Sequence, residues 1–329
     1  MKIIFFGTPD FAVTILKALI DAHMSPIAVV TTPDKPAGRG HIITSPPVKT
    51  FVEKYTIPVF QPEKLKDETF LHTLQNLNAD VFVIASYGKI LPQNLLDIPL
   101  KGTINVHPSL LPRHRGPSPI QSAILAGDST TGITLMLTDK EMDHGPIIAT
   151  CSWHIADSNS TYAQLHDKLA ELGGDLLVKT LPRWIAGEIT PQEQHHPEAT
   201  YTKLLTKEDG HIDWTKSAKE IDRMVRALNP WPGTWSTLSE AKPPIFSKIG
   251  GFASESVKRV KILAGHPLDE KSTVPAGTIL KTKSGHLAAC TKNGLYMIEM
   301  LQVEGKKATL GTNLLNELSH SQQAHPRLL

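Results

Sequence analysis

The chain has 329 residues, 40% hydrophobic and 20% charged, with a formal net charge of +2. That balance excludes a wholly disordered chain and suits two domains with at least one full hydrophobic core. No apolar run approaches the ~20 residues of a membrane helix, and two cysteines, Cys151 and Cys290, are too few for a disulfide framework or a zinc knuckle.

Lys2–Phe6 reads as a short apolar strand that stops at Gly7, too short for a signal peptide. The expectation is a soluble, cytoplasmic protein. Asp10 is placed to cap a helix whose apolar face is Phe11, Ile15, Leu16, Leu19 and Ile20. Ile27–Thr31 reads as a second strand and Asp80–Ala85 as a strand buried on both faces. Thr103–Val106 is a short strand, Ile120–Leu125 lies on a helix, and Ile133–Leu137 is a further strand. This alternation predicts an α/β fold, a Rossmann-like mostly parallel sheet with helices on both faces. Ligands of such sheets bind beyond the carboxyl ends of the strands. Gly7–Asp10, Ser86–Leu91, His107–Arg115 and Thr138–Pro146 are therefore expected to wall one site.

Tyr162–Trp184 carries Leu165, Leu169, Leu172, Leu176, Leu177 and Leu181 at helical spacing and closes at Gly187. Pro191–Thr202 is polar and reads as a linker. The expected organisation is a first domain over 1–189, a linker over 190–206 and a second domain over 207–329. In the second domain Ala218–Leu228 is an amphipathic helix ending at Asn229-Pro230-Trp231-Pro232-Gly233. Val257–Leu263, Gly277–Leu280, Leu287–Cys290 and Leu295–Leu301 are short strands with turn residues between them. They predict a small β-barrel or sandwich, and Ala308–Leu318 a closing helix. Residues 1–202 carry 16 Lys and Arg against 20 Asp and Glu, and residues 203–329 carry 18 against 12. A basic final third points to a polyanionic partner or, more plainly, to a solvated surface.

Gly7-Thr8-Pro9-Asp10 stands where a dinucleotide binder places three glycines, and Pro9 has no backbone donor, so a dehydrogenase is disfavoured. Walker A, HExxH and GxSxG patterns are absent. His195-His196 is a metal tract only superficially; adjacent histidines in a polar stretch are usually solvated. The informative run is Asn105–Gly116. Asn105 and His107 share one strand face. An amide donor beside an imidazole can hold a developing oxyanion and move a proton, or both can be ordinary strand-end hydrogen bonders. Asp143, ahead of Gly145-Pro146, could orient His107 or could bond its own turn.

Asn-x-His-x-Ser-Leu-Leu-Pro-Arg-x-Arg-Gly at 105–116, followed by Asp-x-Gly-Pro-Ile at 143–147, resembles the folate-dependent formyltransferase family. Gly7–Phe11, Pro33–Gly40, Ala85–Pro92 and Asn229–Pro232 extend the resemblance over essentially the whole chain. The Pro33–Gly40 loop and the Asn-Pro-Trp-Pro segment narrow it to the branch acting on initiator methionyl-tRNA. The resemblance implies formyl transfer from 10-formyltetrahydrofolate to the methionine α-amino group, for translation initiation. It assigns Asn105, His107 and Asp143 to catalysis. It assigns Ser109, Leu110, Leu111, Pro112, Tyr87, Gly88, Ile90 and Leu91 to the folate pocket, although core packing explains Leu110, Leu111, Ile90 and Leu91 as well.

It further assigns Arg39, Lys35 and Lys207 to tRNA, with Arg39 central in a surface loop spanning Pro33–Lys49, and it implies an oligonucleotide-binding-like barrel at the C-terminus. Lys203, Lys258, Arg259, Lys261, Lys281, Lys306 and Lys307 are further candidates for phosphate contacts. Leu204 departs from the family, which commonly has Lys there. No metal and no membrane are implied, and a monomer is expected. The rivals are a formyltransferase for glycinamide ribonucleotide or an aminosugar nucleotide, and a non-catalytic nucleic-acid module.

Overall fold

Ile3-Ile4-Phe5-Phe6 has no polar side chain to leave in water, so the segment forms a strand sealed on both faces. In this computed structural model, which describes residues 1–37, 40, 42–155, 159–239, 258–271, 273–320 and 327–329, that strand is β1 (Ile3–Gly7), followed by α1 (Asp10–Asp21). Then come β2 (Ala28–Val30), β3 (Lys35–Ala37), β4 (Ile42–Thr44), α2 (Pro47–Val52), β5 (Val59–Phe60), α3 (Glu68–Asn76), β6 (Val81–Ala85), α4 (Gln93–Leu96) and β7 (Thr103–His107). After these lie α5 (Pro119–Ala126), β8 (Thr130–Leu137), β9 (Ile147–His154) and α6 (Tyr162–Ile185).

The main sheet has the order β5-β2-β1-β6-β7-β8-β9. The pairings β5-β2, β2-β1, β1-β6 and β6-β7 are parallel. Helices cover both faces. On one, Leu71 and Leu74 of α3 and Leu95 and Leu96 of α4 pack with Ile4, Phe6, Phe82 and Ile84. On the other, Gly173 of α6 lies against Val106, Ile15 and Ile133, where an added Cβ would crowd the Val106 side chain. Each fully buried side chain of this size contributes about 1.5–3 kcal/mol.

Three expectations change. Asp10 does not cap α1; it is the first helical residue, and Pro9 holds the cap position without a side-chain bond. Pro33–Lys49 is not a bare loop. β3 and β4 pair as a hairpin, and Lys49 lies on α2, with its ammonium 2.7 Å from Asp34. The Lys49 and Gln61 hydrogen bonds hold Asp34 below the usual carboxylate range. Arg39 itself lies outside the described residues. Lastly, β8 runs antiparallel to β7, so Thr138–Pro146 does not leave the sheet at the carboxyl ends of the parallel strands. It starts where Thr138 N bonds Thr103 O, at the beginning of β7, and folds back.

Contact clustering divides the chain into two units. The first is Met1–Ala123, Asp128–Asp157 and Ala163–Lys203; the second is Ile124–Gly127, Ser158–Tyr162 and Leu204–Leu329. Much of the stretch read as linker is thus part of the first unit: Gln192 bridges Ile147, and Tyr201 bridges Arg115.

The second unit contains α7 (Ala218–Leu228), β10 (Thr234–Ser239), β11 (Lys258–Leu268), β12 (Ile279–Lys281), β13 (Leu287–Thr291), β14 (Gly294–Val303), β15 (Thr309–Leu310), α8 (Gly311–His320) and β16 (Arg327–Leu328). Ser217 and Glu220 form a reciprocal capping box that starts α7. The strands run β12-β13-β14-β11-β10-β16, all antiparallel. A bridge between Thr278 and Arg327 brings the last strand back beside β12, so the sheet nearly closes into a barrel. Its core includes Trp214, Val260, Ile262, Tyr296, Ile298 and Leu301. Among the described residues no helix is long and apolar enough to cross a membrane.

Candidate active site

Strand alternation in Thr103–His107 sends Val106 toward α6 and leaves Asn105 and His107 together on the other face. The loop that follows is tied down residue by residue. Ser109 N donates to His107 O at 2.9 Å, and Ser109 Oγ donates to Arg113 O at 2.7 Å. Thr134 Oγ1 donates to Ser109 O and accepts from Leu111 N. The Leu111–Pro112 peptide is cis.

His114 has φ +58, the left-handed region. Its carbonyl accepts from His107 Nε2 at 3.0 Å. A carbonyl can only accept, so Nε2 carries a proton and Nδ1 is the nitrogen left for chemistry. The His114 ring in turn lies 2.6 Å from Asp128 Oδ2, and Arg113 Nη2 donates to Asp128 Oδ1 at 2.7 Å. Burial opposes ionisation of Asp128, but the His114 and Arg113 hydrogen bonds outweigh it and hold the carboxyl below its usual range.

Asp143 arrives on the folded-back loop, at φ +50. Its Oδ1 accepts from Asn105 Nδ2 at 3.1 Å and faces His107 Nδ1 at 3.6 Å. Its Oδ2 accepts from Gly116 N at 2.7 Å. Gly116 is required there: φ is +112, and a Cβ would lie 2.7 Å from Thr202 Oγ1 and 2.9 Å from Thr202 O. Asn105, His107 and Asp143 therefore meet at one carboxylate oxygen.

The residues assigned to the folate pocket divide. Tyr87 is 1% exposed and packs edge-on against Phe6, and among the described residues its hydroxyl has no partner. Burial pushes that hydroxyl up to about 12. Tyr87 thus presents its backbone, whose carbonyl accepts from Thr8 Oγ1. Leu91 lies in the same buried cluster. Gly88 has φ +82, and among the described residues nothing stands within 4 Å of where a Cβ would be. Ile90 is 80% exposed beside Leu65, Lys66, Lys89, Pro92 and Gln93, which line a shallow surface pocket. Ser109 and Leu111 are buried, while Leu110 and Pro112 are partly exposed.

Lys35 is exposed on β3 of the first unit. Lys207 is exposed in the second, where its carbonyl accepts from Trp235 Nε1. The Arg259 guanidinium stacks on the Trp235 ring at 4.1 Å. The adjacent histidines have separate fates: His195 pairs with Glu198, and His196 stacks flat on His144 at 4.1 Å.

Two residues with no assigned task lie directly behind the trio. Arg115, in the motif, is 1% exposed, and Gln194, in the supposed linker, is 4% exposed. Gln194 Nε2 donates to Asp143 O at 2.9 Å and Gly145 O at 2.8 Å. Its Oε1 accepts from Arg115 Nε and Nη2. A lone glutamine in a polar stretch gives no local signal for this.

The Formyl transferase family model matches residues 1–181, and the Formyl transferase C-terminal domain model matches residues 204–319. The chain belongs to the formyl transferase family. Within it, the chain is 40% identical over 316 residues to the methionyl-tRNA formyltransferase of Marinobacter nauticus, covering 96% of each. It is 49% identical over 304 residues to that of Chloroflexus aurantiacus, covering 92% of each. Among solved structures, HypX from Aquifex aeolicus in complex with tetrahydrofolic acid has the same fold, with TM-score 0.62 and 16% identity over 96% of this chain and 47% of HypX.

Proposed function

We propose that this chain transfers the formyl group of 10-formyltetrahydrofolate to the α-amino group of methionine on initiator tRNA. The observation that carries the reading is the convergence of Asn105, His107 and Asp143 on one carboxylate oxygen, in a chain matching methionyl-tRNA formyltransferases over nearly its whole length. The folate fits the site's chemistry: a planar ring needs accessible backbone and apolar contact, which Gly88 and Ile90 offer.

In the reaction the methionyl nitrogen bonds to the formyl carbon, the bond from that carbon to the folate nitrogen breaks, and one proton passes from the amine to the leaving nitrogen. Asn105 spends one amide hydrogen on Asp143 and keeps the second for the oxygen that gains negative charge. His107 Nδ1 is the nitrogen facing Asp143, and the pair can carry the proton between the two nitrogens. No covalent enzyme intermediate and no metal are needed. Lys35, Arg39 and Lys207 are assigned to tRNA contacts, with Arg39 able to pair with phosphate and stack on a base at the acceptor end.

The test offers purified protein a labelled formyl donor with initiator methionyl-tRNA, glycinamide ribonucleotide or an aminosugar nucleotide. Label in the tRNA fraction is expected. Transfer to either small acceptor alone, or tRNA binding without transfer, would overturn the reading.

A further inference from the structure

Asp143 is held twice, at its carboxylate and at its backbone, and both holds lead to one dipeptide. The Gly116 N–H grips Oδ2. The neighbouring Arg115 side chain reaches the Asp143 carbonyl through Gln194.

The Arg115 guanidinium is buried, and among the described residues no carboxylate pairs with it. Nε and Nη2 donate to Gln194 Oε1 at 3.1 and 2.6 Å, Nη2 also donates to His196 Nδ1 at 2.9 Å, and Nη1 donates to Tyr201 Oη at 3.2 Å. A buried cation with neutral partners needs every acceptor it has. The carboxamide oxygen of Gln194 is therefore fixed toward Arg115, and both hydrogens of its Nε2 are fixed toward the carbonyls of Asp143 and Gly145. Those two carbonyls bracket the turn that holds Asp143 at φ +50. Gly145 adds a second constraint, since a Cβ there would collide with Leu137 O.

We infer that Gln194 is a positioning residue for Asp143, with Arg115 setting the direction of its amide. Gln194 does not touch the reacting groups. It fixes the turn from which the Asp143 carboxylate meets Asn105 and His107. The inference rests on the formyl-transfer reading for its kinetic test and on geometry alone for its structural one.

Gln194→Glu separates this role from simple packing. The carboxylate still accepts from Arg115, but it has no hydrogen to give and sets an anion against two carbonyls. The variant is expected to fold with a lowered melting temperature, because two buried carbonyls lose their donor while the Arg115 contact is kept. Its kcat should fall ~10–100-fold, as for a misplaced catalytic group, with KM for folate and for methionyl-tRNA within about twofold. Its crystal structure should show the Asp143 carboxylate moved off Gly116 N and Asn105. If the glutamate variant does not fold, Arg115→Lys serves instead. It keeps the charge and Gln194 but loses the forked grip, and the same split between kcat and KM and the same displacement are expected. Normal kcat with Asp143 in place in the variant examined would overturn the inference, as would losses confined to KM. Absence of transfer by the unmodified enzyme would defeat the functional reading, while the structure of the variant would still decide the positioning role.

Discussion

Asn105 Nδ2 and Asp143 Oδ1 lie 3.1 Å apart although 38 residues separate them in the chain. The contact exists because the loop after β8 begins at the start of β7 and runs back along the face of that strand that carries Asn105 and His107. It commits one amide hydrogen of Asn105 to Asp143, and the proposed reaction uses the other. Replacing Asn105 or His107 with Ala should each lower kcat ~10²-fold or more. Steady-state formylation of methionyl-tRNA measures this, and normal turnover in both variants would refute the assignment.

Gly116 joins the same site to the strap at Thr200–Lys203. With φ +112 and Thr202 against its Cα, Gly116→Ala must shift the backbone that presents N–H to Asp143. The expected cost is about 1–3 kcal/mol of stability, accompanied by a lower kcat. Denaturant unfolding and the formylation assay should change together; a variant of full stability and activity would show that the close approach to Thr202 is unimportant.

Tyr87 permits the opposite kind of prediction. Among the described residues its hydroxyl is buried without a partner, and an unsatisfied buried polar group is a liability of about 1–3 kcal/mol. Tyr87→Phe should keep or raise the melting temperature and leave KM for the folate unchanged. A large rise in that KM would mean that the hydroxyl reaches the ligand.

Asp128 governs an acid-sensitive link to His107, through the His114 ring and carbonyl. Its carboxyl is lowered in the folded protein, with the hydrogen bonds from His114 and Arg113 outweighing burial. A lowered carboxyl contributes stability above its unfolded value, near ~4, and loses that contribution as pH falls through the folded value. Asp128→Asn should therefore unfold more easily near neutral pH and show a shallower loss of stability below about pH 4. Unfolding measured across that range tests the sign. The variant should also lose turnover, because the carbonyl that holds His107 Nε2 loosens.

Where the signal is local, the sequence was readable. β1 and β6 are apolar runs too short for a helix and sealed on both faces, and the leucines of α6 recur at helical spacing. Asn105 and His107 needed only the two-residue repeat of a strand to stand together. The β3–β4 hairpin was missed because Lys-Pro-Ala and Ile-Ile-Thr have neither alternation nor length. Gln194 was missed because nothing adjacent in the chain marks a glutamine as anything but a polar linker residue.

The amino-acid order alone determined the longer apolar strands and helices, among them β1, β6, β8, α1, α6 and α7, the two-part organisation of an α/β part and a barrel part, and the shared face of Asn105 and His107. Each follows from hydrophobic periodicity and backbone chemistry within a few residues. Tertiary structure alone decided the direction of β8, the return of Asp143 to β7, the burial of the Tyr87 ring, and the grip of Arg115 and Gln194 on the Asp143 turn. Those depend on which hydrogen-bonding partners remain once strands have paired, and buried polar groups must find them across long stretches of chain.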